Sequence, residues 1–255
     1  MVNVAILGFG TVGSGVAEVL TGHESSIERK AGGLIRLKYI LDVRDFPDSP
    51  FADRFVKDFG VIESDPEVDI VVETIGGAGV ALDFTRRALE AGKSVVTSNK
   101  ELVATRGCEL TRLAREKGVC YLFEASVGGG IPIIRPLSQC LAANEILEIY
   151  GILNGTTNYI LTRMIRAGIT FGEALAEAQE RGYAERDPSA DVEGHDACRK
   201  ICILADIAFG RHISPEQVPT QGITRVTLAD VDYAESAGKK IKLLGRAIRG
   251  EDGRV

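Results

Sequence analysis

A short apolar run followed at once by a glycine-rich turn opens the sequence and constrains its fold more than any other feature. VNVAIL (2–7) has the composition of a buried strand, and GFGTVG (8–13) leads from it into a helical pattern. In a GxGxxG turn between strand and helix, the first glycine permits the tight turn, the second lets a ligand approach the backbone, and the third allows close packing. The amides that begin such a helix attract phosphate. The pattern therefore predicts a dinucleotide-binding unit.

Strand-like and helical patterns alternate through the first half of the chain. Further strands are predicted at IRLKYILDV (35–43), DIVVETIGG (69–77), SVVTSN (94–99) and VCYLFEA (119–125), with helices at 80–92 and 101–118. Alternation with nearly all-apolar strands is typical of a parallel, doubly wound sheet with helices on both faces. We therefore predict an α/β chain whose residues 1–130 form a Rossmann-type dinucleotide-binding domain.

The ligand of such a sheet lies at the carboxyl ends of its strands. Thr74–Gly77 and Thr97–Lys100 follow two of these strands and should face the nicotinamide side of the crevice. The predicted cofactor-binding residues are Gly8, Phe9, Gly10, Thr11, Val12, Gly13, Arg44, Thr74 and Lys100.

The second strand ends in residues of both charges, so it does not distinguish NAD from NADP. Asp42 could accept a hydrogen bond from the ribose 2′-hydroxyl of NAD, whereas Arg44 could pair with the 2′-phosphate of NADP. Lys57 could assist Arg44, although a solvated surface lysine is the simpler interpretation.

The pattern changes after residue 130. IPIIRPLSQCLAAN (131–144) resembles a helix entered through proline, EILEIYGILNG (145–155) a strand, and 157–168 and 170–182 amphipathic helices. Thr170 and Glu173 form a capping-box pattern for the last helix. Residues 131–255 are therefore predicted to form a separate α+β domain for substrate binding and dimerisation.

Composition narrows the functional classes. The net charge of −6 argues against a nucleic-acid surface, and no uncharged apolar run approaches the length of a membrane span. Five cysteines without a CxxC pair indicate reduced, mostly buried thiols in a cytoplasmic protein, although Cys198 and Cys202 share a helical face that could hold a metal. A small-molecule substrate is the better expectation.

The segment GYAERDPSADVEGHDACRK (182–200) places many charged residues beside the apolar run ICILADIAFG. If a helix starts near Asp191, Asp196 and Lys200 lie one turn apart on the same face, at the edge of the core. Most oppositely charged residues at this spacing form a plain surface ion pair that contributes little to stability. The acids just upstream instead favour a site for a substrate that carries an ammonium group.

Several of these motifs together resemble the homoserine dehydrogenase family. They are GFGTVGSG, TSNKELVA (97–104), EASVGGGIPII (124–134), GILNGTTNYIL (151–161) and the acidic segment, in this order along nearly the whole chain. The resemblance implies NAD(P)-dependent interconversion of L-homoserine and L-aspartate 4-semialdehyde, on the route to threonine, methionine and isoleucine. It also implies a homodimer.

The resemblance also implies roles for individual residues. Lys200 would transfer the substrate proton, Asp196 would orient Lys200 and the substrate hydroxyl, and Lys100 would lie between nicotinamide and substrate. Residues expected to contact the substrate are Glu185 and Asp191, which would bind its ammonium group, and Asn154, Gly155, Thr156 and Thr157 of the NGTTN turn. That turn could equally be a helix cap. A sodium site is implied at Glu124, Val127, Gly129 and Ile131, largely through backbone carbonyls.

Relatives continue beyond the point where this sequence stops. KKIKLLGRAIRG (239–250) is predicted to form a strand, 251–253 a hairpin turn, and 254–255 the start of a return strand. We therefore expect a chain truncated at its C-terminus.

Two other functions compete with the dehydrogenase. Aspartate-semialdehyde dehydrogenase would need an activated cysteine and a histidine, and neither Cys120 nor Cys140 has such a setting. A nucleotide-sensing protein without turnover is the alternative from another class. His195 is next to Asp196 but should point away from the lysine face, because consecutive helical residues diverge by about 100°.

Overall fold

The computed structural model describes residues 1–251 and 255. The chain divides into two compact units, residues 1–133 and residues 134–255, near the predicted division after residue 130.

The first unit is built around a parallel sheet of six strands in the order β3-β2-β1-β4-β5-β6, counted over the described residues. The strands are β1 (Val2–Leu7), β2 (Ile35–Leu41), β3 (Phe55–Val56), β4 (Val68–Glu73), β5 (Ser94–Thr97) and β6 (Tyr121–Leu122). The helices are α1 (Thr11–Gly22), α2 (Glu24–Ala31), α3 (Phe59–Ser64), α4 (Gly79–Glu90) and α5 (Lys100–Lys117). This strand order is that of the doubly wound dinucleotide-binding fold, so the predicted fold class is confirmed.

Burial explains why these segments form the central strands. The β1 residues from Val4 to Leu7 are buried, and β1 pairs with β2 on one side and β4 on the other. Covered edges and faces favour the continuous apolar sequence of this strand. Because β1, β4 and β5 are parallel neighbours, their carboxyl ends meet at one end of the sheet. The turns that carry the predicted cofactor-binding residues follow these strand ends.

The second unit combines helices with a two-stranded antiparallel sheet. Its helices are α6 (Gly155–Ala167), α7 (Phe171–Glu180), α8 (Ser189–Val192), α9 (His195–Phe209) and α10 (Leu228–Ser236), and its strands are β7 (Glu148–Gly151) and β8 (Gly245–Ile248). The predicted capping box of Thr170 and Glu173 is present at the start of α7. One cluster of buried residues lies between α6 and α7, and a second joins α9 to the sheet.

The helix predicted to begin near Asp191 is interrupted, so that prediction is wrong at its start. α8 ends at Val192 and α9 begins at His195, because Gly194 between them has a left-handed backbone with φ of 85°. A Cβ at Gly222 would lie 2.1 Å from the carbonyl oxygen of Val192, so another segment packs tightly against this break. The break separates Asp191 from the helix that carries Asp196 and Lys200.

Three further predictions are too long. The helix expected over 131–144 is reduced to a π-helical segment at Pro136–Cys140, and Pro136 stands in its first turn, where a missing amide proton is tolerated. The strands expected over 145–155 and 239–250 shorten to β7 and β8, which pair through only four residues each. The predicted hairpin turn and return strand fall mostly on residues 252–254, outside the described residues.

The expectation of mostly buried thiols is also wrong. Cys108, Cys120 and Cys140 are exposed, and only Cys198 and Cys202 among the described residues are buried. Burial raises the pKa of Cys202 to about 12, which disfavours the thiolate that a metal would need. No described helix has the length and hydropathy that a membrane span needs.

Gly13 is the position where the fold of the first unit tolerates no side chain. A Cβ at Gly13 would lie 1.9 Å from the carbonyl oxygen of Gly8. We expect Gly13→Ala to lower the free energy of unfolding by about 3 kcal/mol or more. Urea unfolding followed by circular dichroism measures this change.

Gly15 of the same helix provides the matched control, because a Cβ there meets no atom within 4 Å. Gly15→Ala should raise the free energy of unfolding by about 0.5–1 kcal/mol, since alanine is the better helix former. Equal effects of the two substitutions would contradict the close approach of α1 to Gly8.

Candidate active site

The glycine turn after β1 presents the start of α1 to a ligand. Gly8 adopts a φ of 91°, and the Thr74 hydroxyl donates hydrogen bonds to the carbonyl oxygens of Leu7 and Gly8, at 2.9 Å each. α1 follows Gly10, and no side chain of the described residues caps it. A Cβ at Gly10 would meet no atom within 4 Å, so the space beside the turn is open. This arrangement fits the pyrophosphate of a dinucleotide, which needs unpaired amides and room beside them.

The predicted cofactor-binding residues of this turn have different surroundings. Thr11 and Val12 are exposed at the start of α1. The ring of Phe9 instead packs edge-on against Phe46, Phe51 and Phe55, with centroids 5.0–6.1 Å apart. The main chain of Phe9 is therefore the part of this residue that lies in the turn. The hydroxyl of Thr74 supports the turn from behind, through the two carbonyl oxygens.

Asp42 and Arg44, which left the cofactor choice open, bind each other. The Asp42 carboxylate accepts hydrogen bonds from the amide of Phe9 at 2.7 Å and from three nitrogens of Arg44 at 2.9–3.0 Å. The Arg44 guanidinium, hydrogen-bonded to this carboxyl, holds the pKa of Asp42 well below its usual range. The Arg44 side chain is nonetheless 60% exposed. Lys57 lies nearby, with its Nζ 2.8 Å from Asp45 and 2.5 Å from the carbonyl oxygen of Arg44.

Lys100 is the first residue of α5, in the turn that follows β5. Asn99 caps this helix, since its side-chain oxygen accepts a hydrogen bond from the amide of Leu102 at 3.0 Å. The side-chain amide of Asn99 also donates to the carbonyl oxygen of Gly77 at 2.6 Å. The turns after β4 and β5 are therefore tied together, and Lys100 projects from a fixed backbone position.

The predicted cation-binding residues lie in one loop of the first unit. The Glu124 carboxylate accepts a hydrogen bond from the amide of Ile133 at 2.6 Å, which closes the loop. A Cβ at Gly128 would lie 2.6 Å from the carbonyl oxygen of Ile131, so the backbone approaches itself closely there. Val127 is buried, whereas Gly129 and Ile131 are exposed. The carboxylate and carbonyl oxygens of this loop are donors that suit a hard cation.

In the second unit, Asp196 and Lys200 form the predicted pair across one turn of α9. The Lys200 Nζ lies 2.9 Å from the Asp196 carboxylate and 3.0 Å from the carbonyl oxygen of Leu153. The side chains are 3% exposed at Asp196 and 16% exposed at Lys200. The carboxylate of the pair is therefore buried, the lysine side chain is only partly exposed, and the amine is held by two oxygen acceptors.

Asn154 joins this pair to Asp191. Its side-chain amide donates to Asp191 at 2.6 Å and to Asp196 at 2.9 Å. Its side-chain oxygen accepts from the amide and the hydroxyl of Thr157, at 2.8 and 2.9 Å. Because both Thr157 groups donate to the oxygen, the Asn154 nitrogen is directed at the two carboxylates. The helix-cap interpretation of the NGTTN turn is confirmed, since Asn154 caps α6, and the contact of this turn with the substrate stays a prediction.

The other predicted site residues of the second unit make fewer contacts with the acidic residues. Glu185 is exposed in the segment between α7 and α8, and none of the described hydrogen bonds joins its carboxylate to Asp191 or Asp196. Gly155 begins α6, and the Thr156 hydroxyl donates to the carbonyl oxygen of Tyr183 at 2.7 Å. His195 is exposed at the start of α9.

Sequence reasoning missed how two groups support this site. The Leu153 carbonyl oxygen has no signal in the sequence, and Thr157, predicted only as a substrate contact, donates to the side-chain oxygen of Asn154. Thr157 lies three residues after Asn154, which is the spacing of a helix cap, so that pattern could have identified its amide contact. The contact between the Leu153 carbonyl and Lys200 joins residues 47 positions apart and has no local signal.

The sheet order, the glycine turn and the uncapped start of α1 define the first unit as a dinucleotide-binding domain of the doubly wound class. Residues 8–124 match the family model described as the NAD-binding domain of homoserine dehydrogenase, and residues 132–255 match the model described as homoserine dehydrogenase. The chain belongs to the homoserine dehydrogenase family.

Individual relatives agree with these matches. A homoserine dehydrogenase of Pseudomonas aeruginosa is 47% identical over 99% of this chain, which spans 58% of that relative. A solved homoserine dehydrogenase of Thiobacillus denitrificans has a TM-score of 0.90 and 44% identity over 98% of this chain and 58% of its own. A solved putative homoserine dehydrogenase of Archaeoglobus fulgidus has a TM-score of 0.88 and 36% identity over 98% of this chain and 81% of its own. The chain thus spans about three fifths of the P. aeruginosa and T. denitrificans proteins.

Asn154 should be the residue on which the stability of the site depends most. Asn154→Ala removes the cap of α6 and both donors to the carboxylates, so we expect a loss of about 2–4 kcal/mol in the free energy of unfolding. Chemical unfolding followed by circular dichroism measures the loss.

Asn158→Ala on the same helix is the control, because Asn158 makes a half-buried contact with Lys242 at 2.6 Å. We expect that change to cost about 1 kcal/mol. An Asn154→Ala variant no less stable than the control would show that Asn154 does not hold the carboxylates.

Proposed function

We propose that the protein containing this chain catalyses the NAD(P)-dependent interconversion of L-homoserine and L-aspartate 4-semialdehyde. The buried pair of Asp196 and Lys200 is the observation that carries the proposal. The Lys200 amine could exchange a proton with a substrate oxygen, and the Asp196 carboxylate, 2.9 Å from the Nζ, restrains that amine. The glycine turn of the first unit supplies the second requirement, a place for the dinucleotide.

The oxidation of homoserine removes a proton from the hydroxyl oxygen and a hydride from the carbon that bears it. A bound nicotinamide supplies the hydride acceptor. Lys200 in its neutral form accepts the hydroxyl proton, and in the reverse direction the ammonium form returns it to the aldehyde oxygen. Asp196 and the Leu153 carbonyl oxygen restrain the amine, which limits the positions that it can occupy. Proton transfer then needs no reorganisation of the lysine.

Asp191 and Glu185 are the proposed partners of the substrate ammonium group. Asp191 is half-buried and hydrogen-bonded to Asn154, so its carboxylate is already oriented. Glu185 lies in an exposed segment, and we propose that it contacts the substrate from there. Gly155 and Thr156, at the start of α6, are further proposed contacts. Lys100 is proposed to act beside the nicotinamide.

The surroundings of Asp42 favour NADP over NAD. Its carboxylate already accepts hydrogen bonds from Phe9 and Arg44, which leaves it poorly suited to accept another from a ribose 2′-hydroxyl. Arg44 uses Nε and Nη2 for the described contacts, and no described residue binds its Nη1. We propose that this nitrogen receives the 2′-phosphate, since guanidinium groups bind phosphate well.

Three further predictions from the sequence remain proposals. A monovalent cation would be held by the loop of Glu124, Val127, Gly129 and Ile131, whose oxygen donors suit it. The protein would act as a homodimer, and it would work in the cytoplasm.

Homoserine-dependent reduction of NADP or NAD, followed by the absorbance of the reduced nicotinamide, tests the proposal. Homoserine should be required for reduction, and the rate should be higher with NADP. Tight cofactor binding without any reduction would instead support the nucleotide-sensing alternative.

Replacement of Lys200 should abolish turnover and spare cofactor binding. Because general acid–base catalysis contributes about 100- to 10,000-fold, we expect Lys200→Met to lower kcat by at least about 100-fold. The dissociation constant for NADP should stay within about twofold, a change of roughly 0.4 kcal/mol, because the proposed cofactor-binding residues belong to the first unit and Lys200 to the second. Lys240→Met, at an exposed lysine of the same unit, is the matched control. A variant at Lys200 with a rate near that of the control would refute the assignment.

Replacement of Arg44 should change the cofactor preference. Arg44→Ala removes the charge-assisted contacts proposed for the 2′-phosphate, so the dissociation constant for NADP should rise about tenfold or more while that for NAD changes little. Calorimetric titration with both cofactors measures the change. Arg36→Ala, at an exposed arginine near the other end of β2, should leave both constants unchanged. Equal weakening of NAD and NADP by Arg44→Ala would count against the 2′-phosphate contact.

A further inference from the structure

Glu73, the last residue of β4, is a fully buried carboxylate that has no part in the proposed proton transfer. Its relative exposure is 0%, and it lies at the carboxyl edge of the sheet. No lysine or arginine among the described residues forms an ion pair with it. Burial of a carboxylate is costly unless hydrogen bonds satisfy it. The contacts of Glu73 therefore indicate what it contributes.

Glu73 connects the turns that follow β4 and β5. One carboxylate oxygen accepts from the amides of Ile75 at 2.8 Å and Gly76 at 3.4 Å. The other accepts from the hydroxyl of Thr97 at 2.6 Å. Each of its described hydrogen bonds can be accepted from a donor, as the negative charge proposed below requires.

The network continues from Thr97 to the start of α5. The Thr97 oxygen accepts from the amide of Asn99 at 2.9 Å, so the hydroxyl proton is directed to Glu73. Asn99 in turn binds the carbonyl oxygen of Gly77 and caps the helix that begins at Lys100. The backbone of both turns is thus fixed through Glu73.

The position of this network relates it to one half of the cofactor. In a doubly wound sheet of this order, the strands after the central crossover bind the nicotinamide half of the dinucleotide. β4 and β5 belong to that half. The oxidised nicotinamide ring carries a positive charge and the reduced ring is neutral, so a negative charge near the ring stabilises the oxidised form. In a buried setting this attraction is weakly screened.

We infer that Glu73 is a positioning residue for the nicotinamide. It holds the turns after β4 and β5 through Thr97 and the two backbone amides, and its negative charge makes the site favour the oxidised over the reduced cofactor. The inference rests on the proposed binding of a nicotinamide cofactor by residues 1–133.

Two substitutions separate the charge from the hydrogen bonds. Glu73→Gln keeps the shape and removes the charge, so the preference for oxidised over reduced NADP, taken as the ratio of their dissociation constants, should fall by about threefold or more. Thr97→Val keeps the charge and removes the hydroxyl, so both forms should bind about 3- to 10-fold more weakly with the ratio unchanged. Calorimetric titration of the 255-residue chain with both forms gives the four constants.

Each outcome decides a separate point. A ratio in Glu73→Gln within about 1.5-fold of the original, in a variant that folds by circular dichroism, overturns the charge effect. If that variant does not fold, Thr97→Val still tests the positioning, which unchanged affinity for both forms overturns. Failure of the unmodified chain to bind either form refutes the proposed cofactor binding instead.

Discussion

The buried ion pair of Asp196 and Lys200 is the interaction on which the second unit depends. A carboxylate with 3% exposure is costly to bury, and the cost is offset only if the partner charge and further donors are held in place. The lysine one turn along α9 provides the charge, and Asn154 provides a donor from the start of α6. The cap of α6 and the first turn of α9 are thus joined through the residues of the site.

In the first unit, buried polar groups at the carboxyl ends of the strands likewise need hydrogen-bond partners. Polar groups at the ends of β1, β2, β4 and β5 are satisfied by neighbouring turns, through Thr74, Asp42, Glu73 and Asn99. The contacts of Thr74, Asp42 and Asn99 join segments distant in sequence, and that of Glu73 fixes the turn that follows its own strand. A rigid edge lowers the entropy that ligand binding must overcome. The buried polar residues therefore prepare the site before a cofactor arrives.

The sequence allowed the parallel, doubly wound sheet and the glycine turn to be predicted because they follow from local patterns. Apolar runs indicated β1, β2, β4 and β5, and the spacing of Asp196 and Lys200 indicated their contact. The break at Gly194 was missed because its left-handed backbone accommodates the tightly packed segment at Gly222, which is distant in sequence. The mutual binding of Asp42 and Arg44 was also missed, since their position at the strand end indicated only contacts to the ribose 2′-hydroxyl or to the 2′-phosphate. Such contacts depend on packing that no local pattern encodes.

Chemical rescue of a Lys200→Ala variant by small primary amines tests the central claim, proton transfer by Lys200, most directly. Lys200→Ala removes the side chain beyond Cβ and leaves space for a small amine where the Nζ lies, beside Asp196 and the Leu153 carbonyl oxygen. If Lys200 transfers the proton, homoserine oxidation should return as the amine concentration rises, and the rescued rate should increase with the basicity of the amine. A variant that binds cofactor and homoserine but shows no rescue with any amine would contradict the claim.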